Sequence, residues 1–173
     1  MELFRIRNRP GTTGLMRMVN RLFFAATAPE HFATMFLGVY DDRTRALRYV
    51  NYGHNPPLLA RANGNCEPLP STAPALGLME RWTAQQGEVE LCASDTLLIY
   101  SDGVTEARQT SSSGAEDEFG EARLAASLRR HRGLALSDLP LALLAEVEGF
   151  AGAEPQDDRT IVALRGRVQP PRI

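Results

Sequence analysis

Leu97-Leu98-Ile99-Tyr100-Ser101-Asp102-Gly103-Val104-Thr105-Glu106 is an apolar run that releases a carboxylate at its end. Bounded behind by Ser94-Asp95, the run Leu97–Tyr100 predicts a buried strand. An ionised carboxylate leaving a core has to be solvated, hydrogen-bonded or bound to a metal. Most isolated Asp-Gly pairs are only tight-turn chemistry. The sharper reading is an acidic ligand on a rigid strand end, with Gly103 allowing close backbone approach. The rest of the chain has to decide between them.

A second acidic pair supplies the test. Gln156-Asp157-Asp158-Arg159-Thr160 leads into Ile161-Val162-Ala163-Leu164, a predicted terminal strand. If the two strands are antiparallel neighbours, the end of the first lies beside the start of the second, and Asp102 and Asp157 sit side by side. Like charges at that distance repel and raise a pKa unless a cation sits between them. Oxygen-only ligands on rigid strands suit Mg²⁺ or Mn²⁺ rather than zinc. On spacing alone, a capping Asp beside a turn competes with this reading.

Composition narrows the classes. The 173 residues are one domain's worth of chain, and the net charge of −2 gives no basic footprint for nucleic acid. No run of apolar residues is long enough for a membrane span. The start, Met1-Glu2-Leu3-Phe4-Arg5-Ile6-Arg7, lacks a signal peptide's apolar core, which predicts a cytoplasmic protein. Cys66 and Cys92 have no metal-ligand spacing and read as reduced thiols. All 19 basic residues are Arg, so phosphate-loop enzymes needing G-K-[ST] and Schiff-base enzymes are excluded.

In order along the chain, residues 1–11 read as an irregular lead-in. Thr12 or Thr13 caps a helix to about Ala26, with Leu15, Met18, Val19, Leu22 and Phe23 as its core face. Phe32–Tyr40 and Ala46–Tyr52 form a hairpin, and Leu58–Ala60 turns through Asn63-Gly64-Asn65 into Glu67-Pro68-Leu69. Trp82–Leu91 alternates as an edge-like strand before the central apolar run. Gln109–Glu118 reads as a mobile polar surface loop. Phe119–His131 is a helix with Leu124 and Leu128 inward, and Ser137-Asp138-Leu139-Pro140 opens another to about Ala151. Residues 166–173 are a tail.

The segments Phe32–Tyr40, Tyr49-Val50-Asn51-Tyr52-Gly53-His54-Asn55-Pro56-Pro57-Leu58-Leu59, Leu97–Arg108 and Asp157-Asp158-Arg159-Thr160 resemble the SpoIIE-like branch of the metal-dependent, PPM-type protein serine/threonine phosphatases. The resemblance covers about residues 12–165 as one partial phosphatase domain. It implies an α+β fold, an α-β-β-α sandwich of two mainly antiparallel sheets with a dinuclear Mn²⁺ or Mg²⁺ site at one end. By this resemblance Asp102 and Asp157 are metal ligands, Asp158 stands beside them, and Gly103 is a backbone position next to the metals. His54 is a candidate general acid, although the family reading of its Pro-bounded hairpin is mainly structural. The implied reaction is hydrolysis of phosphoserine or phosphothreonine by metal-activated water, with no catalytic residue beyond the metal ligands. The implied partner is a phosphorylated protein such as an anti-sigma-factor antagonist.

The family's G-D-x-S-G-[HK]-G turn, whose Asp bridges the metals, has no counterpart in residues 1–31, which contain no Asp. The expectation is therefore a fold incomplete at its N-terminus, a weakened metal cluster, and open sheet edges that favour homo-oligomers. Two hypotheses follow: the C-terminal part of a working phosphatase, or a catalytically inactive binding module in a partner-switching pathway. A dehalogenase-like D-x-D-G enzyme fits poorly, because its nucleophile would fall on Tyr100.

Overall fold

Alternating and continuous apolar runs, separated by Gly, Pro and Asn turns, set the order of elements. The computed structural model describes residues 12–110, 116–151 and 157–167. The elements are α1 (Thr12–Ala26), β1 (Met35–Asp41), β2 (Ala46–Tyr52), β3 (Leu58–Ala60), β4 (Cys66–Pro68), β5 (Gly87–Glu90), β6 (Thr96–Tyr100), the single turn α2 (Asp102–Thr105), β7 (Arg108–Thr110), β8 (Glu116–Glu118), α3 (Gly120–Arg130), α4 (Leu139–Ala151) and β9 (Ile161–Arg165). They group into two compact units: Met1–His54 with Pro70–Val89, and Asn55–Leu69 with Glu90–Ile173. The predicted lead-in 1–11 and most of the predicted tail lie outside the described residues.

The first unit is a three-stranded sheet in the order β1-β2-β5 with α1 packed on it. Strands β1 and β2 pair antiparallel from Met35↔Tyr52 to Asp41↔Ala46. Arg43 N–H donates to Asp41 Oδ1 at 2.9 Å in the connecting turn. Helix α1 buries Met16 and Asn20 and half-buries Val19 and Phe23, whereas Leu15, Met18 and Leu22 face solvent. The predicted core face is thus corrected by about one residue. Two apolar stripes lie side by side on this helix, and the sheet contacts the one that includes a polar residue. Asn20 holds the 77–80 loop, donating to the Met79 carbonyl at 2.9 Å and accepting from Gly77 N–H at 2.9 Å. The predicted strand Trp82–Leu91 forms only over Gly87–Glu90. Phe32 lies outside β1 and is exposed, with pairing before Met35 limited to the isolated bridge Ala33↔Leu76.

The second unit is a four-stranded antiparallel sheet in the order β4-β3-β6-β9, covered on one face by α3 and α4. Leu58, Ala60, Leu98 and Tyr100 point to the helices and join Leu124, Leu128, Leu139, Leu143 and Val147 in one core. Leu59 and Leu97 alternate to the other face and are also buried, which is why the central run has no polar alternation. Asp95, just before this run, is a buried carboxylate. Its carboxylate accepts from Ala62 N–H at 2.9 Å, Cys92 N–H at 3.0 Å and an Arg61 guanidinium N–H at 2.9 Å. Gly166 extends the fold past β9: its N–H donates to the Asp95 carbonyl and its carbonyl accepts from Ser94 N–H, both at 2.9 Å. A Cβ at Gly166 would collide with the Cys92 carbonyl. The predicted 109–118 loop is partly ordered, because β7 and β8 pair at its ends; residues 111–115 lie outside the described residues. No disulfide joins Cys66 and Cys92, and burial pushes the Cys66 thiol up. The architecture is α+β, and the pairs β1–β2, β3–β4, β3–β6, β6–β9 and β7–β8 are all antiparallel.

Candidate metal centre

Strands β6 and β9 are antiparallel neighbours, in register from Thr96↔Arg165 to Tyr100↔Ile161. The C-terminal end of one therefore meets the N-terminal start of the other. Three hydrogen bonds continue the contact past the ladder: Ser101 N–H to the Thr160 carbonyl at 3.0 Å, Ser101 Oγ to the Asp158 carbonyl at 2.8 Å, and Thr160 N–H to Ser101 Oγ at 2.9 Å. Gly103 then passes so close that a Cβ there would lie 2.6 Å from the Asp158 carbonyl oxygen and 3.3 Å from the Asp157 carbonyl carbon. Any side chain at position 103 would push the two tips apart. The expected meeting of the Asp102 and Asp157 segments is present.

The local form of the first tip differs from a simple turn. Asp102–Thr105 winds into one helical turn, closed by Glu106 N–H donating to the Asp102 carbonyl at 2.8 Å and Thr105 Oγ1 donating to it at 3.2 Å. The Asn55-Pro56-Pro57 segment rests against this turn. Asn55 Nδ2 reaches Thr105 Oγ1 at 3.4 Å, and the Tyr100 hydroxyl donates to the Pro56 carbonyl at 3.0 Å. Burial pushes the Tyr100 phenol well above its ordinary value, so it stays a neutral donor. Two sequence motifs some 45 residues apart thus meet within one unit. His54 belongs to the first unit, where its N–H donates to Asn51 Oδ1 at 2.9 Å at the end of the β2 hairpin turn.

Each carboxylate uses one oxygen locally. Asp102 Oδ1 accepts from Gly103 N–H at 3.0 Å and Asp157 Oδ1 accepts from Asp158 N–H at 2.7 Å. The second oxygen of each has no protein donor among the described residues. Two carboxylates with water are a donor set that suits Mg²⁺ or Mn²⁺. The fit does not extend to a full dinuclear cluster, because no group of three or more His, Cys, Asp and Glu converges among the described residues. Beside the tips opens a cavity of about 200 Å³, lined by Gly103, Glu106, Ala107, Arg108, Asp157 and Arg159. Glu106, Arg108 and Arg159 were not singled out by sequence reasoning. The one signal was Arg159 itself, a cation directly after two aspartates.

The family model described as Stage II sporulation protein E (SpoIIE) matches residues 4–167. Protein IcfG of Synechocystis sp. is 32% identical over 142 residues, covering 79% of this chain and 22% of that protein. Phosphoserine phosphatase RsbP of Bacillus subtilis is 30% identical over 90 residues, covering 52% of this chain and 22% of that protein. The chain therefore spans about a fifth of the length of these curated relatives. The solved RsbU and RsbW domains of Rv1364c from Mycobacterium tuberculosis superpose with a TM-score of 0.76 at 23% identity, over 94% of this chain and 44% of that one. The phosphatase domain of the cell fate determinant SpoIIE from Bacillus subtilis, in a form presoaked with Mn, gives 0.65 at 15% identity, over 98% and 80%. At these identities the superpositions establish the fold. Among the described residues, no helix is long and apolar enough to cross a membrane.

Proposed function

The chain belongs to the SpoIIE family of PPM-type phosphatase domains, and from that premise we propose that it hydrolyses a phosphoserine or phosphothreonine ester on a protein, with Asp102 and Asp157 as carboxylate ligands of Mg²⁺ or Mn²⁺. The observation that carries this reading is the β6–β9 ladder, which ends with both carboxylates at one end of one sheet beside a cavity. A bound divalent ion lowers the pKa of a coordinated water and offsets phosphate charge. The chain's own residues do the positioning. Gly103 lets the backbones approach, Ser101 ties the two tips together, and Asp158 supplies the carbonyl that Ser101 holds. His54 serves the hairpin in this reading and carries no proton.

The phosphoprotein substrate we favour is a small regulator of the partner-switching kind, an anti-sigma-factor antagonist in the cytosol; the relative named phosphoserine phosphatase RsbP supports the phosphoserine part of this reading alone. A second reading, a binding module without turnover, is favoured by one observation: no group of three or more His, Cys, Asp and Glu gathers among the described residues. Calorimetric titration of Mn²⁺ into the 173-residue chain, followed by hydrolysis of a small aryl phosphate, separates the two. The phosphatase reading expects saturable binding that falls at least about tenfold in Asp102→Asn, with turnover lost. Absence of binding at millimolar Mn²⁺ overturns the phosphatase reading for these 173 residues and leaves either the C-terminal part of a larger phosphatase or a binding module.

A further inference from the structure

The cavity beside Asp157 contains two cations in different situations. Arg108 is already engaged, its guanidinium donating to Glu118 at 3.0 and 2.8 Å and lying 3.7 Å from Glu116. Arg159 is half-buried and makes no ion pair among the described residues. Its Nε is shielded from water and has no hydrogen-bond partner among the described residues. A buried donor on a charged group that lacks an acceptor is unfavourable, and natural folds rarely retain one without reason. Here the unanswered donor belongs to a planar fork whose geometry matches two oxygens of a phosphate or carboxylate. Arg159 is also one of the residues lining the cavity of about 200 Å³, large enough for a phosphoryl group.

We infer that Arg159 is the residue that receives the phosphate of the substrate, its guanidinium taking phosphoryl oxygens inside this cavity. No acceptor among the described residues holds the Nε edge, so no protein hydrogen bond has to break for that edge to turn toward the anion. Arg108, by contrast, has its charge offset by Glu118 and Glu116, which leaves Arg159 as the unpaired cation of this lining among the described residues. The identity of the anion as a phosphoserine or phosphothreonine ester rests on the hydrolase reading above, whereas the existence of an oxyanion site on Arg159 does not.

The test uses the full chain without added metal and inorganic phosphate as the probe, followed by NMR of the arginine Nε–H and backbone resonances. Saturable shifts at Arg159 and Gly103 are expected. Arg159→Gln should weaken phosphate binding by about tenfold or more, and Arg159→Lys should fall between, because an ammonium keeps the charge but not the fork. Both variants should keep the native Mn²⁺ affinity and thermal midpoint. Phosphate affinity unchanged in Arg159→Gln overturns the inference, as does a loss that merely tracks a lowered thermal midpoint in both variants. If the native chain binds no Mn²⁺ while phosphate binding still depends on Arg159, the hydrolase reading fails and the oxyanion site stands. If Mn²⁺ binds but phosphate is indifferent to Arg159, the reverse holds.

Discussion

The two units place their large apolar side chains differently. In the second unit Leu98, Leu124, Leu128, Leu139, Leu143 and Val147 are all fully buried between one sheet face and two helices. In the first, α1 turns Leu15, Met18 and Leu22 to solvent and β1 does the same with Val39 and Tyr40. The same residue types thus make a closed core in one case and a partly exposed surface in the other. The candidate metal centre draws all its residues from the unit with the closed core. Geometry that must hold two carboxylates in place is built where the backbone is least free to move.

The sharpest way to test that contrast is one substitution made twice. Leu124→Ala, at a fully buried site, should cost about 2–5 kcal/mol, because the vacated volume cannot fully collapse. Leu22→Ala, at a side chain 63% exposed, should change stability by no more than about 0.5 kcal/mol. Urea denaturation curves measure both, and equal losses would mean that exposure does not distinguish the energetics of the two helices.

A smaller effect is expected at the tips themselves. Gly103→Ala adds a methyl group against the Asp158 carbonyl and should destabilise by about 1–3 kcal/mol. Its signature is regional: Mn²⁺ affinity should fall, while the fluorescence of Trp82, the single tryptophan and a member of the first unit, should stay native. A change in Trp82 emission would break the assignment of this strain to the second unit alone.

The smallest effect is acid-dependent. Burial pushes the Glu146 carboxyl up, but the opposing hydrogen bonds from Arg130 and His131 outweigh it and leave the group below its ordinary 4.5. A carboxyl depressed in the folded state contributes stability above its unfolded pKa, and that contribution is lost as pH falls through the lower folded value. The α3–α4 pair should therefore lose no more than about 1 kcal/mol as pH drops below about 4.5. Glu146→Gln should flatten this part of the denaturation profile. An unchanged acid profile in that variant would remove Glu146 from the account.

Legibility in the sequence varied with how local the cause was. The hairpins, α3 with Leu124 and Leu128 inward, and the strand Thr96–Tyr100 follow from runs and turn residues a few positions apart. The α1 face is legible in part: Val19 and Phe23 lie on it, but Leu15, Met18 and Leu22 repeat as well as Met16, Val19 and Phe23 do and face solvent. Periodicity counts apolar residues but cannot say which stripe a sheet will contact. Asn20 illustrates the difficulty, since its burial depends on backbone groups of the 77–80 loop roughly 60 residues away. The strand predicted over Trp82–Leu91 shortened to Gly87–Glu90 for a related reason: the start of that segment hydrogen-bonds elsewhere, with Gln85 N–H donating to the Thr72 carbonyl.

By itself, the amino-acid sequence determined where carboxylates leave apolar strands, which cations were available, and that no lysine chemistry could serve a site here. It also carried the motifs that mark the family. Only the tertiary structure decided that the Asp102 and Asp157 tips meet, that Asn55 and Pro56 rest on the Asp102 turn, and that Arg159 holds a buried donor with no acceptor among the described residues. The physical reason is that solvation and hydrogen-bond satisfaction are properties of neighbours in space. Strand pairing across some 60 residues of chain creates those neighbours, and no local pattern encodes them.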